Sequence, residues 1–536
     1  MSEFGASAPA PAAGAAWRPR GNPWLIAVVV TSAAFMEVLD TTIVNVALPH
    51  IAGSLSAGSD EATWTLTSYL VANGIVLPIS GWIGSVVGRK RYFLTCIAMF
   101  TVCSLLCGLS TSLWQIVLFR VLQGLFGGGL QPNQQAIILD TFEPAKRAQA
   151  FSLTAIATVV APILGPTLGG LITDNFSWRW IFFINVPVGI VAWISVMRLV
   201  EDPPWAKAAK RNGSRLQVDY IGLALIALGL GSLEFVMDRG EQDDWLGSPV
   251  IRLFSATAFL GISGAVAWLL TAERPVVNLR VLKDRNFTVG SVLIFSMALV
   301  LYSSSVLIPQ LAQQQFGYTA TLAGELLSPG AFLIILMIPI VGRMLPKVQT
   351  RFLVAFGFLL LAVSLVYSST VPPDADFLTL ASLRAAQTTG LAFLFVPIST
   401  VAFSSMPPQM NRDATSLFTM FRNVAGSVGI ALATTLVTRH TQLHQFNLVG
   451  HLTPFNQPYL DLIQHNAAVL QSQGVAANKL TDLANGRVLS TLMRQAAIQA
   501  YLDVFLLSAV LAFAVLPLAF LFAPIKGSRG RPAGAE

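Results

Sequence analysis

The chain's 536 residues are 54% hydrophobic and only 11% charged, with a mean hydropathy of +0.66. A soluble globular domain carries about 25% charged residues, so a soluble fold is excluded and an all-α polytopic membrane protein is expected. The net charge of +7 does not imply a nucleic-acid partner, because the basic residues lie in short loops between apolar runs rather than in one patch.

Residues 1–22, rich in Ala, Pro and Gly without periodicity, predict a disordered cytoplasmic tail. The first apolar run comes next; it is too long for a signal-peptide core and contains acids, so it is expected to remain as the first span. Fourteen apolar segments can be counted, near 24–49, 62–87, 92–111, 114–139, 148–173, 180–199, 218–237, 250–271, 287–313, 321–345, 352–371, 377–402, 413–438 and 497–523. Cations gather on one side of this alternation: Arg18, Arg20, Arg89, Lys90, Arg91, Lys146, Arg147, Arg198, Lys207, Lys210, Arg211, Arg215, Arg274, Arg343, Lys347, Arg351, Arg412, Lys526, Arg529 and Arg531 among them. That asymmetry predicts cytoplasmic termini.

The first segment sets two carboxylates deep in a hydrophobic run. Glu37 lies about 20 Å and Asp40 about 24 Å along the helix from Trp24, inside a hydrocarbon core of about 30 Å. Spaced i and i+3, they share a face. Intramembrane acids cost several kcal/mol unless paired, protonated or hydrated, which makes both candidates for a proton or substrate site. Structural glue is the other reading. Next, Gly81 to Arg91 (GWIGSVVGRKR) predicts a tight hairpin in which Gly81 and Gly88 allow the turn while Arg89 and Lys90 face the inner leaflet. Cys96, Cys103 and Cys107 share the third segment, so neither a disulfide framework nor a metal site is indicated. In the fourth, Arg120 is a permanent cation that must find an anion or polar cage; Asp40 is the natural candidate, with Gln123 a polar cavity contact and Gly124 a close-packing position. In the fifth, Ala161, Gly165 and Gly169 form a small-residue stripe around Pro162 and Pro166, which reads either as a hinge or seal or as ordinary close packing.

The chain then repeats itself. LFRVLQGLFGG, with Arg120 and Gln123, is echoed 264 residues later by SLRAAQTTGLAF, with Arg384 and Gln387, and Arg147 is matched by Arg412 at an offset of 265. A looser echo relates Gly81–Arg91 to Gly342–Arg351. Constant offset and equal orientation predict two parallel six-helix halves, 23–200 and 273–524, separated by a linker with two inserted spans at 201–272 and succeeded by a cytoplasmic tail at 525–536. Arg422 and Asp503 are further polar residues in spans. Glu325, just past an external loop, and Glu234, close to Asp238, read as border residues, with extra proton or cation sites the alternative. Residues 439–496 form one long external segment in which Leu480, Leu483, Leu489 and Leu492 predict an apolar helical stripe, to cap the mouth or meet a partner. No nucleophile–base–acid cluster, metal-ligand set or phosphate loop is legible, so an enzyme is not expected.

LDTTIVNVALP at 39–49, FRVLQG at 119–124, PAKR at 144–147, VAPILGPTLGG at 160–170, WIFFINVPVGI at 180–190 and RNFTVG at 285–290 resemble the major facilitator superfamily, in particular its fourteen-span drug:proton antiporter branch. The resemblance implies proton coupling through Asp40 and Arg120, gating at Pro162, Gly165, Pro166, Gly169 and Gly170, and no cofactor beyond the proton gradient. It also implies small amphipathic substrates, an inner-membrane location among lipid, and docking of residues 439–496 to a periplasmic adaptor and outer-membrane channel. The sequence departs from the pattern at Ser85, where an acid is expected to lock the cytoplasmic gate, and at Glu37, where a neutral Gln is found in one relative of that branch. A dedicated exporter of one metabolite, fatty acid or siderophore is the rival reading, and a non-transporting sensor or scaffold a weaker one.

Overall fold

The computed structural model describes residues 19, 21–202, 218–273, 275–373, 375–407, 410–453 and 455–523. The predicted tails, the basic run Lys207 to Arg215, and Arg18, Arg20, Arg274, Lys526, Arg529 and Arg531 lie outside them. Among the described residues the chain is helical, without strands. Thirteen helices are long and apolar enough to cross a membrane, fourteen when one pair bent by 48° counts as a single crossing. The protein is a multi-pass membrane protein.

One-turn pieces aside, the first half comprises α1 (Pro23–Ser54), α2 (Trp64–Val87), α3 (Arg89–Leu109), α4 (Leu113–Gly127), α5 (Leu130–Thr141), α6 (Pro144–Ala155), α7 (Ala161–Asn175) and α8 (Asn185–Leu199). The inserted pair is α9 (Tyr220–Arg239) and α10 (Pro249–Thr271). The second half holds α11 (Arg285–Phe316), α12 (Ala320–Glu325), α13 (Ser328–Met344), α14 (Thr350–Ser368), α15 (Phe377–Ala392), α16 (Phe395–Ala402), α17 (Asn411–Val449), α18 (Gln457–Ser472) and α19 (Leu480–Val515).

Helix starts reflect local chemistry. Asn22, Asp219, Asp284 and Asp376 each accept a backbone N–H of the first turn of α1, α9, α11 and α15, satisfying donors that lipid cannot. Asp219 also accepts from Trp268 Nε1 at 2.8 Å, tying α9 to α10, whose backbones meet at Gly229 and Gly261. The expected fourth segment breaks at Gly128 and Gly129 into α4 and α5, and the fifth passes through a π-helical turn, Ile156–Val160, before Pro162. A π turn inserts a residue into the helical ladder and so rotates the helix beyond it.

Two expectations about the helices need correction. Gly81 does not belong to a turn: α2 continues to Val87, and only Gly88, at φ +100°, makes the reversal. A Cβ on Gly81 would lie 2.9 Å from the Arg412 carbonyl oxygen, so its lack of a side chain admits α17 of the other half. Within residues 439–496, α17 runs on to Val449 and α19 begins at Leu480; the composition changes while no proline interrupts the helix. Nor do the four leucines form one stripe. The buried line on α19 is Ala484, Val488, Leu492 and Ala496, with Leu483 and Leu489 exposed.

The halves touch near both ends. On the side opposite the basic loops, Thr167 Oγ1 donates to the Gly324 carbonyl at 2.6 Å and Thr321 Oγ1 to Asp174 at 2.6 Å. On the basic side, Ser80 and Ser416 hydroxyls lie 3.1 Å apart and the Phe151 and Phe403 rings stack at 5.7 Å.

Candidate functional site

The site grows from α1. Asp40, 1% exposed, accepts from Arg120 NH1 at 2.5 Å, Gln123 Nε2 at 3.1 Å and Asn185 Nδ2 at 2.6 Å. Arg120 is fully buried; its Nε donates to the Thr65 carbonyl at 2.9 Å, its NH1 also to Gln123 Oε1 at 2.9 Å, and the Tyr69 ring lies 4.1 Å from its guanidinium carbon. α1, α2, α4 and α8 therefore meet on one ion pair. Gly124 makes this possible, since a Cβ there would lie 2.5 Å from the Tyr69 carbonyl oxygen.

One turn earlier, Glu37, 2% exposed, is held differently. Tyr69 OH and Asn73 Nδ2 each donate to it at 3.0 Å, and Gln131 Nε2 donates to its other oxygen. Among the described residues no cation bonds it directly. Gln131 Oε1 in turn accepts from Arg422 NH2 on α17, and Arg422 NH1 reaches Thr158 of the π turn at 3.4 Å. Gln131 thus bridges an acid of the first half and a cation of the second. Tyr69 joins the two acid sites, its hydroxyl on Glu37 and its ring over Arg120. Of these partners the sequence reading noted Arg422 without assigning it and missed Tyr69, Asn73, Gln131 and Asn185. The amide-rich run QPNQQ from Gln131 to Gln135, set in an apolar segment, was the legible signal.

Arg384 occupies the repeat position of Arg120, but Ser304, 264 residues after Asp40, stands where the acid would be. Arg384 donates to Ser304 at 2.7 Å, Ser305 at 2.8 Å and Gln387 at 3.4 Å. The second half keeps the cation and its glutamine and lacks the carboxylate.

The remaining candidates separate. Gly165 and Gly169 face α1, where a Cβ would meet Thr42 and Ile43; the stripe packs within its own half, and Thr167 on the next face makes the contact to Gly324. Pro162 and Gly170 are buried, and Pro166 is partly so. Arg89 does not face the inner leaflet: it is buried, pairs with Asp140 at the end of α5 and donates to the Ala136 carbonyl at 3.1 Å. Lys90 Nζ donates to the Met197 carbonyl at 2.7 Å and its backbone N–H to Asp202 at 2.9 Å. Asp140 and Asp202 thus serve the reversal at Gly88, just after the helix that carries Ser85. Glu325 is exposed at the end of α12, as a border residue should be. Glu234 is not one: it is buried against Gly74 of α2, with Asp238 beside it bonded to Thr67.

Two helical units that meet at both ends over a buried charge pair are the architecture of a solute transporter that exposes one site alternately to each side. The chain belongs to the Major Facilitator Superfamily, whose family model matches residues 30–430. It is 35% identical over 513 residues to the multidrug export protein EmrB of Escherichia coli strain K12, covering 96% of this chain and 98% of that protein. With the fatty acid resistance protein FarB of Neisseria gonorrhoeae it shares 35% identity over 92% of this chain and 94% of that one. Its fold is similar to the crystal structure of the human organic anion transporter MFSD10, with a TM-score of 0.55 at 14% identity, covering 92% of this chain and 100% of that one.

Breaking a buried pair from one side strands a charge. Arg120→Ala is expected to destabilise the protein by about 3–5 kcal/mol, whereas Asp40→Asn combined with Arg120→Gln recovers part of that loss. Thermal unfolding in detergent checks this; additive effects of the single changes would contradict it.

Proposed function

We propose that the protein is a proton-coupled antiporter of the inner membrane that exports small amphipathic or lipophilic toxic compounds, and is not an enzyme. The 35% identity to a multidrug export protein over nearly the full chain supports the export reading. The observation that carries the coupling is the contrast between the two acids. Asp40 is paired with Arg120, while among the described residues Glu37 accepts hydrogen bonds from neutral donors alone. An ionised carboxylate without a contacting cation is costly in a membrane interior, and Glu37 is the acid assigned here to carry the proton.

The transport steps derive from those bonds. Protonating Glu37 removes the charge that orders Gln131, which frees Arg422 and loosens the link between the halves 23–200 and 273–524. The halves then rock, parting at Thr167–Gly324 on one face or at Gly81, Ser80 and Ser416 on the other. An amphipathic substrate takes the proton's place by offering apolar surface to the parted halves and a polar group to the Gln131–Arg422 pair. No cofactor takes part; the proton gradient drives the cycle. The basic loops face the cytoplasm and both termini lie there. The similarity to a fatty acid resistance protein favours lipophilic acids as a second reading, a dedicated exporter of one such compound. Everted vesicles separate the two. Acid-inside vesicles should accumulate several unrelated lipophilic dyes and acids through the multidrug protein but a single acid through the dedicated one; no gradient-driven accumulation of any would refute antiport.

Export across two membranes requires a partner. α17 is about 58 Å long, against a hydrocarbon core of about 30 Å, so its outer end stands clear of lipid. There Phe446 and Phe455 are 83% and 97% exposed, with Leu443 and Val449 also exposed. Aromatic side chains in water at the tip of a helical hairpin suit docking of an adaptor that presents an apolar surface and leads on to an outer-membrane channel. Replacing residues 445–490 by a Gly/Ser linker should leave vesicle transport intact and lower resistance of whole cells. Loss in both settings would favour a structural cap.

A further inference from the structure

The extension of α17 beyond the membrane carries a group of side chains that transport does not use. His440 and His444, one turn apart, project from the same face of α17, and Asp503 of α19 stands against both. His440 Nδ1 is 2.8 Å and His444 Nε2 2.7 Å from one Asp503 oxygen, Oδ2. One potential ligand atom from each residue lies within 4.8 Å of the other two. His440 lies about 44 Å along α17 from Asn411, past a hydrocarbon core of about 30 Å, so the group is reached from the outer aqueous side. All three side chains are partly exposed, which leaves a face open to solvent.

We propose that His440, His444 and Asp503 bind a divalent transition-metal ion of the zinc class. Two imidazoles and a carboxylate, with water in the fourth position, are a zinc donor set, and hard cations such as magnesium or calcium prefer oxygen alone. Donor atoms about 2.0–2.2 Å from a tetrahedral ion stand about 3.3 Å apart, so small side-chain rotations that move both nitrogens away from Oδ2 admit the ion. Each ring then carries its proton on the opposite nitrogen and offers a lone pair to the metal. Arg439, the adjacent cation, points elsewhere, toward Asp244 at 3.7 Å. Cys96, Cys103 and Cys107 are buried in α3 and do not compete for an ion arriving from outside. Because the ligands come from α17 and α19, a bound ion clamps the two helices that carry the exposed hairpin and fixes the angle at which it leaves the membrane.

The test is zinc titration of the full-length, tag-free protein in lipid nanodiscs after chelator treatment, monitored by calorimetry. One ion per chain is expected, together with a rise in Tm on zinc addition. Changing both His440→Gln and His444→Gln should weaken binding at least about 100-fold and abolish the rise, since even the loss of an outer-shell partner costs about 10–100-fold. Cobalt in place of zinc should show a visible d–d spectrum without a thiolate charge-transfer band. Should the double variant fail to fold, the single changes His444→Gln and Asp503→Asn, each checked by its metal-free Tm, should still weaken binding at least about 10-fold. Absence of saturable zinc binding to the folded protein, or equal affinity in the folded variants, would overturn the site.

Discussion

A carboxylate and a guanidinium persist in a hydrocarbon interior only together, and the first half of the molecule is built around that requirement. Asp40 and Arg120 draw in Gln123, Asn185 and the Thr65 carbonyl, so four helices are fixed by one bond between ions. Backbone approach at Gly124 and the Tyr69 ring over Arg120 complete the cage. Glu37 is attached to this cage through Tyr69, and through Gln131 it reaches the other half. Glu37 of the first half and Arg422 of the second therefore share one bridging amide.

The duplication is unequal where it matters. Arg384 has inherited the buried position of Arg120 and its glutamine, yet its partners are serine hydroxyls. A hydroxyl satisfies a donor without titrating near neutral pH. Of the two repeat positions, only that of the first half therefore carries a carboxylate, while Arg422 of the second meets Gln131 of the first. The inserted pair adds Glu234, buried against α2, as a further acid close to the same interface.

Much of this was legible in the sequence. Two acids in an apolar run and a lone arginine with a glutamine one turn on pointed to the central pair without coordinates, and the apolar runs marked the spans. What one chain does not reveal is helix rotation. Gly165 and Gly169 read equally well as a hinge or seal or as ordinary close packing, and only the structure shows that the helix they approach is α1, at Thr42 and Ile43. Glu234 sits near a helix end by counting but turns inward. At residue 439 the shift from apolar to polar composition marks where lipid ends, not where the helix does, so α17 and α19 run on. The pairing of His440 and His444 with Asp503 was hidden for the same reason, since 59 residues separate His444 from its partner.

The most direct test of coupling through α1 is proton release on substrate binding, measured with a pH-sensitive dye in weakly buffered detergent solution. Wild-type protein should release protons when a lipophilic substrate is added. Glu37→Gln should bind the substrate and release none, while Asp40→Asn, if folded, should still release protons through Glu37. Undiminished release from Glu37→Gln would contradict the account, because the proton would then reside elsewhere.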